Sequence, residues 1–240
     1  MIFGLFLLLA PSPVLTANPL TPVAAAQSAA GPSDWQADLK RRRDMLVERN
    51  GPGTNAALRA ELLSMRDHDQ DARGMHRAPG EGSKQPQIAL NLAEIDKSLT
   101  DELKGIFEKN GWPTINLVGI EASNAAMLIL THTADHAWQR TLLPQLEALA
   151  DSKRIDGSAL ALVIDKDLIA HGQPQRYGSQ FKLVNGEMAM YAVEDPGALD
   201  RMRAEALLPP MDVYRKNLID IYHFNISKQI IAPSAPAPQP

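Results

Sequence analysis

A mainly α-helical domain carrying one small β-hairpin is the fold this chain predicts, with an α+β arrangement as the fallback. Three observations predict it. Apolar residues recur at helical spacing in six long segments between residues 34 and 171. A single strand–turn–strand pattern surrounds Asn185-Gly186. The 240 residues are 45% hydrophobic and 22% charged, which supports one ordinary core and is short for two full domains.

The first 30 residues read as an export signal and linker. Ile2 to Leu9 is apolar, Pro11 and Pro13 follow, and Val23-Ala24-Ala25-Ala26-Gln27 offers a small-residue cleavage site. A periplasmic or secreted protein is therefore expected. No segment approaches the roughly 18 consecutive apolar residues of a membrane-spanning helix. Residues 231–240, rich in Pro and Ala, read as a disordered tail, so the single domain is assigned to 31–230.

Within the domain, a first helix starts near Asp34 and is stopped by Gly51-Pro52-Gly53. Asn55 to Arg73 is a second, with Leu58, Leu62, Leu63 and Met65 as its apolar face and Gly74 behind it. Residues 75–86 read as a polar loop. Ile88 to Lys109 is a third helical region, with a break expected near Ser98 and Thr100, where Thr100 would cap the later part. Trp112-Pro113-Thr114 is a turn. Glu121 to Thr131 is a buried helix, and Ala137 to Ala150 an amphipathic one expected to pack on it. Ser158 to His171 is the next helical segment, closed by Gly172 and Pro174. The hairpin at Phe181 to Val193 is the only clear β signal, and two short helices, 197–206 and 211–223, complete the domain.

Composition removes several chemistries. Without cysteine, the chain has no thiol nucleophile, disulfide or Cys-ligated metal. A net charge of -4 argues against a broad nucleic-acid face. No nucleophile elbow, phosphate loop or dinucleotide fingerprint occurs. His132 and His136 stand four apart, but Thr133 occupies the place of the glutamate in a zinc-protease signature, so no metal or other cofactor is implied.

What remains is a polar set drawn from distant segments. Asp69 and Arg73 are one helical turn apart and can pair. His132, at the end of an apolar helix, is a candidate general base. Asp165, beside the apolar run 159–164, is a second candidate acid or base, with Arg73 or His132 as partner for the Asp165-Lys166 charges. Gln175, Tyr177 and Gln180, among glycines, can recognise amides or hydroxyls, and Arg73 a carboxylate or phosphate.

Several stretches together resemble a bacterial family known as domain of unknown function 6624. They are Asp69-Gln70-Asp71-Ala72-Arg73, Gly111-Trp112-Pro113-Thr114, His132 with Trp138-Gln139, Asp165-Lys166, the segment Gly172 to Gln180, and Asp200, Arg203, Pro210 and Tyr214. Order and spacing agree over about residues 58–215. The resemblance implies a compact, mostly helical domain with a small hairpin and no established activity. It maps the family's recurring polar set onto Asp69, Gln70, Arg73, Trp112, His132, Gln139, Asp165, Gln175, Tyr177 and Gln180. Here Lys166 stands where the family more often has Arg, and Ser179 where it has Thr.

Three functional readings follow. The first is an exported hydrolase with His132 or Asp165 as acid or base, with Asp69, Gln70, Arg73, Gln139, Gln175, Tyr177 and Gln180 orienting a polar substrate and Trp112 as an apolar wall. The second is a noncatalytic domain holding a small molecule or peptide. In the third, the same residues form a structural hydrogen-bond network.

Overall fold

A computed structural model describes residues 2–3, 35–75 and 87–232. The expected signal segment apart from Ile2–Phe3, the loop at 76–86 and the tail beyond 232 lie outside the described residues. The domain is mainly helical with a small β part, as the sequence predicts. The helices among the described residues are α1 (Trp35–Asn50), α2 (Ala56–Ala72), α3 (Leu92–Asn110), α4 (Ile115–Val118), α5 (Ile120–His132), α6 (His136–Asp151), α7 (Gly157–Ala170), α8 (Leu199–Glu205) and α9 (Met211–Tyr222).

Local chemistry fixes the boundaries. The Asn55 side chain accepts from the Leu58 amide at the start of α2, Asp135 from Trp138 at α6, and Asp156 from Ser158 at α7. Helix α3 runs unbroken where an interruption was expected. Thr100 is no cap: its hydroxyl donates back to the Asp96 carbonyl, 2.7 Å, within a continuous helix. The expected turn after Trp112 leads into the short α4, whose first amide, Ile115 N, is held by the Arg154 carbonyl at 2.9 Å.

Helix α5 is the central element, buried continuously from Ala122 to Thr131. It packs on α2, α3 and α7, while α6 packs chiefly on α7. The expected direct α5–α6 pairing is thus largely replaced by a shared neighbour. Leu62, Leu103, Ala126, Leu130, Leu146 and Val163 belong to the resulting core, all nearly inaccessible.

A second, smaller core lies against the sheet. Strands β1 (Phe181–Val184) and β2 (Glu187–Tyr191) form the expected hairpin, with Lys182 opposite Ala189. Asn185 and Gly186 both have positive φ, 51° and 82°, as a type I′ turn requires. Strand β3 (Ile226–Ile231), unforeseen in the sequence, adds in parallel to β2, and Ile2–Phe3 lie antiparallel beside β1. Phe181, Met188, Leu199, Tyr214 and Leu218 fill the space between this sheet and α8–α9.

Candidate functional site

The buried face of α2 carries Leu58, Leu62, Met65 and Asp69, spaced four, three and four residues apart. That stripe turns toward the core, so the fold carries the Asp69 carboxylate inside with it. Its side chain is 0% exposed, and three donors compensate it. The His132 imidazole binds Oδ1 through Nδ1 at 2.7 Å, Arg73 donates Nε–H to the same oxygen at 3.1 Å, and Gln70 Nε2 donates to Oδ2 at 2.8 Å. Arg73 also reaches across to α3, where one terminal nitrogen donates to Asp96 at 2.5 Å.

The opposite wall is the end of α5 and the start of α6. Gln139 Nε2 donates to the Leu130 carbonyl at 2.8 Å, satisfying a group that the helix end leaves open. The Thr133 hydroxyl accepts the Asp135 amide at 3.0 Å and meets the Thr100 hydroxyl on α3 at 3.0 Å. These bonds fix the 130–139 segment around His132, whose side chain is only 7% exposed.

Electrostatics favour one protonation state of the pair. Burial raises the Asp69 pKa, but the attraction of the His132 ring, its hydrogen bond, Arg73 and Gln70 outweigh it and hold the carboxyl at about 2. His132 is pushed below the ordinary histidine value, first by burial and then by the Arg73 and Lys166 charges, against the pull of Asp69. The two titrate as one system, and at neutral pH the consistent state is an ionised Asp69 beside a neutral imidazole. In that state Nδ1–H donates to Asp69 and the basic lone pair lies on Nε2.

Asp165 belongs to a different cluster. It is 0% exposed and accepts the backbone amides of Arg176, Tyr177 and Ser179 at 2.7, 2.9 and 2.8 Å. Burial raises its pKa, while these three donors favour the carboxylate. Its oxygens therefore hold the 176–179 turn, and the structure does not bring it to Arg73 or His132, the partners expected from sequence. Gln175 is likewise engaged on both ends of its amide. Its Nε2 donates to the Tyr191 and Gln180 carbonyls at 2.8 and 3.2 Å, and its Oε1 accepts the Gln180 amide at 2.8 Å. Gln180 Nε2 donates to the Ser179 hydroxyl at 3.0 Å.

The same turn is closed from α8 and α9. Arg203, 1% exposed, donates to the Pro209 and Tyr177 carbonyls at 2.7 and 2.5 Å and stacks on Tyr214, whose hydroxyl donates to the Ser179 carbonyl at 2.9 Å. Trp112 is 4% exposed in the main core. It stands past the far end of α3, whose fourteen residues from Asp96 to Asn110 rise roughly 21 Å, too far to wall the His132 region. Among the expected residues, then, Asp69, Gln70, Arg73, His132 and Gln139 come together. Asp165, Gln175 and Gln180 form a second network, and Trp112 joins neither.

Sequence reasoning passed over Asp96, which joins the first group through Arg73; it named Lys166 beside Asp165, and no ion pair joins Lys166 to the acids of this group. The Lys166 pKa is lowered to about 8, by burial first and then by Arg73, with Asp96 acting in the opposite sense. His136 is lowered as well, by burial and then by Lys166, and its Nδ1 stands 3.5 Å from Gln139 Oε1. The signal for Asp96 was its place in the first turns of α3, one helix over from Arg73.

A cavity of about 830 Å³ lies elsewhere, between α1, α7 and the 205–207 segment, with Leu46, Lys153, Ile164, Tyr177 and Leu207 in its wall. Tyr177 is the one expected site residue that faces it. Lys166 is two residues from Ile164 and so about 200° around α7, on the other side of that helix. Among the described residues no group of three or more histidine or acidic side chains is arranged to hold a metal ion, and no helix is long and apolar enough to cross a membrane.

A model of a family of unknown function, DUF6624, matches residues 56–227. No curated protein and no solved structure matches the chain.

Proposed function

We propose, for a chain that belongs to the family of unknown function DUF6624, that His132, positioned by Asp69, is the acid–base group of a hydrolase acting on a polar, amide- or hydroxyl-bearing substrate. The observation that carries this reading is the 2.7 Å bond from His132 Nδ1 to a fully buried, ionised carboxylate. Such a bond holds the imidazole in one tautomer and stabilises the imidazolium that forms when it takes a proton.

In this scheme His132 Nε2 removes a proton from a water molecule as its oxygen attacks a carbonyl carbon. The carbon–nitrogen or carbon–oxygen bond then breaks, and the proton passes from the imidazolium to the leaving group. Asp69 is a positioning residue, its oxygens being committed to His132, Arg73 and Gln70. Arg73 orients the substrate. The export-signal pattern of the first 30 residues supports a reaction outside the cytoplasm.

The test is amine release from solubilised cell-envelope peptides and glycans by the purified protein. Release by the wild type, lost in a folded His132→Gln variant and unchanged in Tyr177→Phe, supports the reading; equal release by wild type and His132→Gln contradicts it. A second reading, a structural hydrogen-bond network, suits Asp165, Gln175 and Gln180, because they bond to one another's segments and tie α7 and β2 to the 175–180 turn.

A further inference from the structure

Neither His132 nor Asp69 lines the cavity of about 830 Å³ between α1, α7 and the 205–207 segment, but two strained residues do. Lys153 follows the end of α6 and Leu207 the end of α8, with φ of 61° and 62°. Both helices close in the same way. The amides of Lys153 and Arg154 donate to the Ala150 and Leu149 carbonyls at 3.0 and 2.8 Å, and those of Leu207 and Leu208 to the Ala204 and Arg203 carbonyls at 3.1 and 2.8 Å. Glycine is the usual residue at the left-handed position of such a turn, because a Cβ is disfavoured there. Here both positions carry long side chains, and both residues line one cavity.

The apolar part of the wall includes Leu160 and Ile164 of α7 and Met202 of α8 beside Leu207. From α1 come Arg42, Met45, Leu46 and Arg49, which share one face of that helix. Helix α1 buries no side chain, and Met45 is 60% exposed. The contacts that tie it to the domain include Asn50 Nδ2 to the Lys153 carbonyl at 2.9 Å and Arg43 to Asp156 at 3.7 Å. A helix of 16 residues draws most of its stability from a buried apolar face, which this one lacks.

The charges around the cavity differ in their commitments. Arg41 pairs with Asp38, Arg176 stands 3.6 Å from Glu194, Glu205 binds Arg201 at 3.0 Å, and Asp156 caps α7. Among the described residues, Arg42, Arg49 and Lys153 have no carboxylate within ion-pair distance, and two lining acids, Glu147 and Asp151 on α6, have no cation. The uncommitted charge is therefore net positive. The amino end of α7, with Gly157 and Ser158 in the wall, adds to that potential.

We propose that this cavity is a binding site for a single-chain amphiphile with an anionic head, a free alkyl carboxylate. The chain lies against Met45, Leu46, Leu160, Ile164 and Leu207, and the carboxylate is held by Lys153 with Arg42 and Arg49. Lys153 and Leu207 then supply a head-group cation and an apolar wall at positions where the turn alone favours glycine, as strain kept for a ligand does. A cavity of this size, mostly apolar with a few groups that fix orientation, is of the kind that takes small molecules. By covering Met45 and Leu46, the chain also gives α1 the burial it lacks.

The experiment is isothermal titration calorimetry of the full-length protein with octanoate, decanoate and decyltrimethylammonium, each below its micelle concentration. Decanoate is expected to bind at least about fourfold more tightly than octanoate, the gain from burying one further methylene, and more tightly than the cation of equal chain length. Hydrogen–deuterium exchange is expected to slow at the α1 amides when decanoate is added. Lys153→Gly is expected to melt at or above the wild-type temperature, because the left-handed strain is relieved, and to bind decanoate about threefold more weakly, as loss of one exposed charge pair gives. Arg42→Gln, which breaks no ion pair, is expected to weaken binding in the same way and serves as the second variant. Absence of decanoate binding, an affinity independent of chain length, or tighter binding of the cation overturns the proposal. So do α1 amides whose exchange decanoate leaves unchanged, and wild-type affinity in both variants.

Discussion

Asp69 and His132, 63 residues apart in sequence, share a 2.7 Å hydrogen bond inside the domain. It ties the end of α2 to the end of α5, and the carboxylate that makes it continues the apolar stripe of its own helix. A charge in that position persists only because His132, Arg73 and Gln70 together take the place of water.

Removing the charge while keeping the shape exposes that dependence. Asp69→Asn removes the charge that Arg73 and His132 share and turns one of the two acceptor oxygens into an N–H donor among three donors, and loss of about 3 kcal/mol or more is expected for a broken buried pair. Urea denaturation, with the slope unchanged, measures it.

Asp165→Asn is expected to cost about 2–4 kcal/mol, because one of its oxygens becomes an N–H group facing backbone donors. The signature that separates the two clusters is the His132 ring, whose NMR resonances stay at their wild-type positions in this variant. Displaced His132 resonances would join the clusters.

The depressed pKa of His132 gives stability a definite pH dependence. Below about pH 6.5 the unfolded chain takes up a proton on this residue that the folded protein refuses, so acid favours unfolding. Stability is full above 6.5 and falls as pH drops through the lower folded value. Asp69 adds a second loss, between 3.8 and about 2. Urea stability measured from pH 8 to 5 is expected to show the first slope in the wild type and a shallower one in His132→Gln.

Lys166 acts with the same sign in an alkaline window. Its folded pKa of about 8 lies below the ordinary 10.5, so between those values the unfolded chain is the more protonated form and stability rises with pH. Lys166→Met is expected to be at least as stable as the wild type at pH 7 and to lose that alkaline gain. Chemical denaturation at pH 7, 9 and 10.5 tests both statements.

Much of the fold was legible because it is local. Helix caps at Asn55 and Asp135, the stop at Gly74 and the Asn185-Gly186 turn are encoded within a few residues of where they act. Strand β3 was not, because a parallel partner reached over α8 and α9 leaves no turn signal beside it. The site was partly legible. His132 stood out at the end of an apolar helix, and Asp69 sat on the Leu58–Leu62–Met65 stripe. Their mutual bond depends on how α2 packs against α5, which spacing along the chain does not state. Asp165 misled for a related reason. An acid after an apolar run signals burial, but whether it meets a substrate or three amides depends on how residues 176–179 fold back.

The central claim is that Asp69 orients His132 and fixes its tautomer while burial keeps the imidazole neutral. The most direct measurement is the ¹⁵N NMR spectrum of the His132 ring at pH 7. The expected result is a neutral imidazole with the proton on Nδ1, shifting in Asp69→Asn. A ring protonated on Nε2 alone, or an imidazolium at pH 7, would contradict the account.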